Sequence, residues 1–402
     1  MKNTQYILSM FAITGIFCSC KLEAAAPATQ ANATVQPTLA ASETYQAITE
    51  SYYTDEELHA LRAGYEGNAI DWDTAALPDC ISVYCIGAAA AGRTELVLQC
   101  LDKGVDPDFG INGAAAGGYT DLVLLMLEKG ANPSMGLVGA ASVGHMELVQ
   151  FLLEQGASPN YGIEDAVEGN HLDVVKLLLT KGANPKYGID VAASYGYRDI
   201  VCVLLEHGAR PNSGLFWAAR RGHMDLVLLF LEQGADPTIG INSAAKGGHA
   251  DIVRLLLERG ADSKIRAAII GAAEEGHLDV VQLLLQNGDD PNTGMEAAGR
   301  GGNVEVVKLL LDHGANPRSA MFGAAANGNE DIVLLLLSKG ADPNEGISVA
   351  AERGQANIIK LLLAQPGINV NKKDCFNCTP LNLAEQNGHT ECAELLRAAG
   401  GK

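Results

Sequence analysis

The sequence predicts an all-α fold, a solenoid of about twelve stacked helix-turn-helix pairs. The segment GADPTIGINSAAKGGHADIVRLLLERGA, residues 234–261, opens and closes on the same Gly-Ala pair. A fixed period of about 20 to 50 residues is the signature of a solenoid, and the aromatic content of only 5% leaves a core of small and aliphatic side chains. The glycine of that pair recurs every 26 residues, apart from one step of 28, at Gly104, Gly130, Gly156, Gly182, Gly208, Gly234, Gly260, Gly288, Gly314 and Gly340.

Each repeat contains two helical segments. HADIVRLLLERGA has apolar residues at helical spacing, Asp251 in its first turn and Gly260 where a helix ends. GINSAAKGG predicts a shorter first helix whose paired alanines, Ala244 and Ala245, let a neighbouring helix approach closely. The connection Asp236–Gly240 is expected to be a loop, because Pro237 cannot continue the preceding helix.

The pattern AAxxGHxDIVxLLLxxGADPN, over about residues 86–400, resembles the helical part of an ankyrin repeat. An ankyrin repeat has about 33 residues, so repeats of 26 lack the segment that builds the family's β-hairpin finger. The resemblance therefore implies an ankyrin-like solenoid of a bacterial type, with shortened repeats over residues 86–366 and almost no fingers.

The full-length pattern occurs only at residues 367–402, which contain Thr379-Pro380-Leu381. Asn377 stands where the family has a glycine that turns the hairpin, and asparagine tolerates that left-handed conformation. Asn382 replaces the family's histidine. We expect one β-hairpin finger here.

The N-terminal residues 1–26 have the layout of a secretory signal peptide, with one lysine, an apolar run and small residues. Phe17-Cys18-Ser19-Cys20 resembles a bacterial lipoprotein signal with Cys20 as the lipidated residue, although Phe17 departs from the usual aliphatic residue. The alternative is simple cleavage at a position within residues 21–26. We therefore expect export to the periplasm or cell envelope, with membrane contact only through this anchor.

The next two segments differ from the repeats. Residues 27–43 are rich in Ala, Thr, Pro and Gln with almost no charge, which predicts a flexible tether. Residues 44–85 predict an atypical N-terminal capping unit, with a helix that begins at Thr54.

Several functional classes are disfavoured by the sequence. A net charge of -20 and a pI near 4.8 argue against nucleic-acid binding, which needs a basic surface. No phosphate-binding loop, nucleophile elbow or acid pair stands outside the repeat pattern, so we expect no enzyme activity and no cofactor. Six histidines share the Gly-His turn, where we expect structural hydrogen bonds and not metal ligation: His145, His171, His223, His249, His277 and His389.

The cysteines allow two readings. In an exported chain Cys375 and Cys378 are a candidate disulfide, as are Cys80 and Cys85. In a reducing compartment the same residues would remain thiols. A zinc site that joins Cys375 and Cys378 to Cys392 is disfavoured, since the repeat places Cys392 in the core.

The resemblance places the two residues after the paired alanines on the concave face, which commonly contacts the partner. Near the middle of the chain these positions and their neighbours are basic and aromatic, and Trp, Tyr and Arg are enriched in binding hot spots. The candidate residues are Tyr195, Phe216, Trp217, Arg220, Arg221 and Lys246. The alternative is that Trp217 fills a packing gap while the arginines balance local acids.

Together these features predict a monomeric, non-catalytic scaffold that binds another protein. Two alternatives remain at this point. One is an effector of an intracellular bacterium, secreted into a host cell to bind host proteins. The other is a structural envelope spacer with no specific ligand.

Overall fold

The computed structural model describes residues 60, 63, 66, 78–261, 266–374 and 377–402. These residues form 24 α-helices in twelve pairs, and no strand is assigned among them. The predicted all-α architecture of helix-turn-helix pairs is therefore confirmed. The chain divides into two compact units, Met1–Arg210 and Pro211–Lys402.

From Pro78 onward, the described residues of the first unit form five helix pairs. In each pair the first helix packs on the second, and the first helices of successive pairs also pack on one another. A short 3-10 helix, Pro159–Tyr161, precedes the fourth pair. The helices are α1 (Pro78–Ala90), α2 (Thr94–Asp102), α3 (Pro107–Gly117), α4 (Thr120–Glu128), α5 (Pro133–Val143), α6 (Met146–Glu154), α7 (Ile163–Glu168), α8 (Leu172–Thr180), α9 (Lys186–Tyr195) and α10 (Arg198–Glu206).

The described residues of the second unit form seven pairs with the same packing of first helix on first helix. A 3-10 helix, Pro343–Glu345, precedes its sixth pair. The helices are α11 (Pro211–Arg221), α12 (Met224–Glu232), α13 (Pro237–Gly247), α14 (Ala250–Glu258), α15 (Arg266–Glu275), α16 (Leu278–Gln286), α17 (Pro291–Gly301), α18 (Val304–Asp312), α19 (Arg318–Ala326), α20 (Glu330–Ser338), α21 (Ile347–Arg353), α22 (Ala356–Leu363), α23 (Pro380–Gln386) and α24 (Thr390–Ala398).

The Asp-Pro step of a repeat begins a helix, so the expectation of a loop at Asp236–Gly240 is wrong. The Asp236 side chain accepts a hydrogen bond from the Thr238 N–H at 2.9 Å, and Pro237 is the first residue of α13. Proline suits this position because its φ is helical and the missing N–H would have no partner within the helix. Asp106, Asn132 and Asp290 provide the same side-chain cap for other first helices, and Asp342 provides it for the 3-10 helix Pro343–Glu345.

Side chains just inside these first helices connect successive repeats. Asn212 Oδ1 accepts a hydrogen bond from the Asp236 N–H at 2.9 Å, and Asn292 Oδ1 accepts one from Asn316 at 2.8 Å. In the first unit Asn160 Oδ1 accepts from the Asn184 N–H at 2.7 Å. These bonds give partners to loop N–H groups that would otherwise rely on water.

The core is built from the two patterns that the sequence shows. Ile252, Val253 and Leu256 of α14 are buried, and Ala244 and Ala245 of α13 are fully buried. Small residues are needed where first helices meet. A Cβ atom added at Gly139 of α5 would overlap the carbonyl oxygen of Asn112 in α3.

The repeated histidines form hydrogen bonds between repeats. The Nε2 atom of His171 lies 3.1 Å from the carbonyl oxygen of Ser142, in the first helix of the preceding pair. Asn303 occupies the same repeat position and donates to the Glu274 carbonyl at 2.7 Å. The expected structural role is thus supported, although the bonds link neighbouring pairs and not the two sides of one turn. The other histidines with this bond are His145, His249, His277 and His389.

The two ends of the chain are described only in part. The predicted signal, residues 1–26, and tether, residues 27–43, lie outside the described residues. Within residues 44–85, Ala60 and Ala63 are helical and buried. The first helix pair begins at Pro78, before the predicted boundary at residue 86.

The C-terminal segment contains a tight turn. The Asp374 N–H donates to the Cys378 carbonyl at 3.0 Å, and Asn377 adopts the expected left-handed conformation with a φ of 65°. Asn382 forms a capping box with Thr379, which gives a local role to the asparagine that replaces the family's histidine. No helix in the described part of the chain is long and apolar enough to cross a bilayer.

Candidate functional site

A pocket of about 520 Å³ lies on the first helices of the second unit. Residues of α11, α13 and α15 line it. Five of the six residues selected from the sequence are among them. The full lining is Phe216, Trp217, Arg220, Arg221, Asn242, Ser243, Lys246 and Ala267, and we call it the Arg220 pocket.

One edge of the pocket is aromatic. The rings of Phe216 and Trp217 meet edge to face, with their centroids 5.3 Å apart. Phe216 is 42% exposed and Trp217 is 36% exposed. Such exposure argues against the alternative that Trp217 merely fills a packing gap, because a gap-filling side chain would be buried. These rings provide apolar contact area for a ligand.

Arg220 is the most unusual group of the pocket. Its Nη1 atom is buried and has no hydrogen-bond partner among the described residues. A guanidinium remains charged at any physiological pH, and an unmatched buried donor is costly. Arg300 stands at the equivalent position of α17, and its Nε atom lies 3.0 Å from Glu274 Oε1. The repeat can therefore pair an arginine here, but it leaves the Nη1 atom of Arg220 without a partner among the described residues.

Two further cations border the pocket. Lys246 lies at the equivalent position of α13, and its Nζ atom is 3.9 Å from Glu275 Oε1. Both side chains of that pair are largely exposed, so the interaction is weak. Arg221 is exposed and also lines the pocket. The pocket is thus locally positive in a chain whose net charge is -20.

Sequence reasoning missed the polar floor of the pocket. Ser243 is only 4% exposed, and its Oγ atom has no hydrogen-bond partner among the described residues. The Oδ1 atom of Asn242 is also buried without one. Comparison among the repeats gives a partial signal for Ser243, because the same helix position is Gly113, Gly139 or Ala297 in some pairs, and an apolar Val191 or Val349 in others.

Tyr195 is not part of this pocket. It belongs to α9 of the first unit, where it is exposed and its ring stacks on that of Tyr197 at a centroid distance of 5.5 Å. The six sequence candidates therefore fall into a group of five in the second unit and one residue in the first.

The cysteine candidates are only partly described. Cys85 carries a thiol that is buried and hydrogen bonded to Cys100, and this bond, followed by burial, raises the pKa of Cys85 well above its ordinary value. The structure therefore places Cys85 beside Cys100, while the pairing of Cys85 with Cys80 involves a side chain outside the described residues. Cys378 also carries a thiol. Cys20, Cys375 and the side chain of Cys80 lie outside the described residues.

The first unit contains a buried acidic side chain, Asp165, on α7. Asp165 is 2% exposed, and its Oδ2 atom has no hydrogen-bond partner among the described residues. Burial raises the pKa of Asp165 well above its usual value, and the charges of Glu168 and Glu164 raise it further. No group of three His, Cys, Asp or Glu residues in the described part of the chain is arranged to hold a metal ion.

Comparisons with known proteins agree with this repeat architecture. A family model described as ankyrin repeats (3 copies) matches five overlapping or adjoining segments, residues 111–189, 137–214, 215–295, 272–347 and 345–401. Together they run without a gap from residue 111 to residue 401 and include the whole Arg220 pocket. A comparison with curated proteins gives no match.

Proposed function

Because the chain belongs to the ankyrin repeat family, we propose that it is a non-catalytic scaffold that binds another protein through the Arg220 pocket. Ankyrin repeats are generally protein–protein interaction modules. The observation that carries this proposal is the combination, in one pocket, of exposed aromatic rings with a half-buried arginine whose Nη1 atom has no hydrogen-bond partner among the described residues. Tryptophan and arginine are the residues most enriched among binding hot spots.

The energetics of the pocket support a binding role over a structural one. The fold gains little from Arg220, since the Nη1 atom has lost water without a partner in exchange. The Phe216 and Trp217 rings keep apolar surface in contact with water. A partner that covers the rings and supplies an acceptor would remove both costs.

A site-specific cross-linker tests this proposal in the cells that make the protein. A benzophenone amino acid replaces Phe216, and in a matched control it replaces Phe322, which is 53% exposed at the equivalent position of α19. We expect one discrete cross-linked protein from position 216 and none from position 322. The double change Arg220→Glu, Arg221→Glu should abolish the product.

Two results would contradict the proposal. One is the same set of products from both positions, which would mean collisional labelling. The other is no product from position 216, or only a second copy of this chain, which would leave the pocket without a protein partner and favour the spacer alternative.

We further propose that the chain is exported, a proposal supported by the composition of residues 1–26. The test is the intact mass of the native protein from membrane and soluble fractions. A mass that begins at Cys20 with added acyl chains supports a lipid anchor, and a mass that begins within residues 21–26 supports simple cleavage. An uncleaved chain in the soluble fraction would refute export by this signal.

A further inference from the structure

The Arg220 pocket also indicates the chemistry of its ligand. We infer that it receives the carboxylate of an acidic side chain, presented by a peptide segment whose neighbouring apolar residue covers Phe216 and Trp217. This inference rests on the proposed protein-binding function and specifies the partner segment. Its basis is the set of unmatched polar atoms around the pocket, together with the charge that surrounds them.

The need for an anion follows from Arg220. A buried guanidinium nitrogen without an acceptor is matched best by a charged acceptor, because a charge-assisted hydrogen bond is roughly twice as strong as a neutral one. At the equivalent position of α17 the chain supplies such an acceptor itself, since Glu274 binds Arg300 at 3.0 Å. None of the described residues that line the Arg220 pocket is an Asp or Glu, so we expect the ligand to supply the carboxylate.

The floor of the pocket fits the second oxygen of a carboxylate. The Ser243 hydroxyl is more than nine-tenths buried and lacks a partner among the described residues, so it can donate to an acceptor placed in the pocket. Lys246 and Arg221 add positive charge at the rim of the pocket. Among the described residues, Lys246 is paired only with Glu275, whose Oε1 atom lies 3.9 Å from Lys246 Nζ.

Asn242 favours a peptide over a free anion. Its buried Oδ1 atom is an acceptor without a donor, and an inorganic anion offers no donor at neutral pH beyond a protonated oxygen. A peptide supplies backbone N–H groups beside its carboxylate, so it can satisfy Asn242 and Arg220 together. The volume of about 520 Å³ lies within the range of roughly 300–1,000 Å³ for small-ligand pockets, which suits one or two side chains.

The aromatic edge sets the second requirement. Phe216 and Trp217 are each more than a third exposed and meet edge to face at 5.3 Å. A leucine or phenylalanine next to the acidic residue would bury these rings and gain the free energy of apolar burial. A short motif of acidic and apolar residues is therefore the expected ligand.

Binding is measured through Trp217 fluorescence in a Trp72→Phe background, in which Trp217 is the only tryptophan of the chain. The probes are acetyl-Leu-Glu-Phe-amide and its glutamine counterpart, acetyl-Leu-Gln-Phe-amide. We expect the acidic peptide to bind at least about ten-fold more tightly, as the loss of a charge-assisted hydrogen bond implies. Arg220→Gln should remove that preference, whereas Arg300→Gln should leave it intact.

A second variant controls for the possibility that Arg220→Gln misfolds. Ser243→Ala places in the pocket the residue that the chain already has at the buried, equivalent position Ala297. It should weaken the acidic peptide by several-fold and leave the glutamine peptide unchanged. Equal affinity of the two peptides, no detectable binding of either, or an unchanged preference in Arg220→Gln would each overturn the inference.

A competition experiment distinguishes a peptide carboxylate from a free anion as the ligand of the pocket. Acetate and inorganic phosphate are each added to the bound acidic peptide, and we expect both to displace it far less effectively than a second acidic peptide does. Phosphate that displaces it better than the acidic peptide would overturn the assignment in favour of a phosphate site. A cross-link from position 216 combined with no preference for the acidic peptide would refute this inference alone. The acidic preference without any cross-link would refute the proposed protein partner instead.

Discussion

Replacing Asp165 with alanine should stabilise the protein at neutral pH. Asp165 is 2% exposed on α7, and its Oδ2 atom lacks a hydrogen-bond partner among the described residues. Glu164 and Glu168 carry like charges one residue and three residues away on the same helix. Alanine is compatible with this position, since Ala297 is buried at the equivalent place in α17.

Protonation of Asp165 sets an upper limit on the stabilisation expected from Asp165→Ala. Burial, with a further contribution from Glu168 and Glu164, raises the pKa of Asp165 well above its ordinary value of 3.8. Keeping a carboxyl with that ordinary pKa protonated at pH 7 costs about 4 kcal/mol. The free-energy cost of the buried charge cannot exceed this value, because the Asp165 carboxylate would otherwise take up a proton. We therefore expect Asp165→Ala to raise the free energy of unfolding by about 1–4 kcal/mol at pH 7.

The pH dependence has a defined sign. Between its ordinary and its raised pKa, Asp165 holds more protons in the folded protein than in the unfolded chain, so stability falls as pH rises through that window. The wild type should thus approach the variant at pH 4 and fall behind it towards pH 7. Urea unfolding followed by circular dichroism at several pH values measures this difference, and equal m values make the midpoints comparable.

An exposed acid serves as the control. Glu128→Ala at the end of α4 should change the free energy of unfolding by no more than about 0.5 kcal/mol. The reasoning would be refuted if Asp165→Ala were less stable than the wild type at pH 7. A stability difference that did not vary between pH 4 and pH 7 would refute it as well.

Two further predictions concern the contacts between repeats. Gly139→Ala should lower the melting temperature, at a cost of about 1–3 kcal/mol, because the added Cβ would overlap the Asn112 carbonyl; an unchanged value would contradict that close approach. His171→Ala should cost about 1 kcal/mol through the lost bond to Ser142, whereas His171→Asn should keep it, as Asn303 does. Burial lowers the pKa of His171, so this residue should lower the stability of the wild type as pH drops below 6.5. The His171→Asn variant should lack this contribution, and urea titrations at pH 5.5 and 7.5 compare the two proteins.

The repeat period was sufficient to predict the helices and their pairing. Each element depends on local features that recur, such as the apolar spacing of Ile252, Val253 and Leu256 or the glycine at position 260. A pattern repeated many times averages out local ambiguity. The left-handed Asn377 was also predictable, because few residues other than glycine accept that conformation.

The start of the first helices was harder to predict, because the Asp-Pro step permits two interpretations. Proline both stops a preceding helix and begins a following one, and Asp236 can belong to a turn or to a cap. Only the position of Thr238, whose N–H donates to Asp236, decides between them. The bond from Asp236 to Asn212 could not be predicted at all, since it depends on how neighbouring repeats are placed.

Three of the eight pocket residues, Asn242, Ser243 and Ala267, were missed for a similar reason. Arg220 and Trp217 are conspicuous by residue type, but Ser243 is not, and serine is common in helices and turns alike. Its importance arises from burial without a partner, which is a property of the packed structure. The sequence likewise does not show that Glu274 reaches Arg300, or that the Nη1 atom of Arg220 has no partner among the described residues.

The repeats of this chain provide an internal reference for identifying functional residues. Positions that serve the fold have the same residue type from pair to pair, so a departure at such a position needs its own explanation. Asp165 and Ser243 stand at one and the same helix position, where most other pairs have glycine, alanine or a larger apolar residue such as Val191 or Trp217. Both are buried polar side chains with an unpartnered oxygen among the described residues, one within an acidic helix and the other in a basic pocket. Neither unpartnered oxygen gains a hydrogen bond among the described residues, so the stability of the fold alone does not account for either side chain.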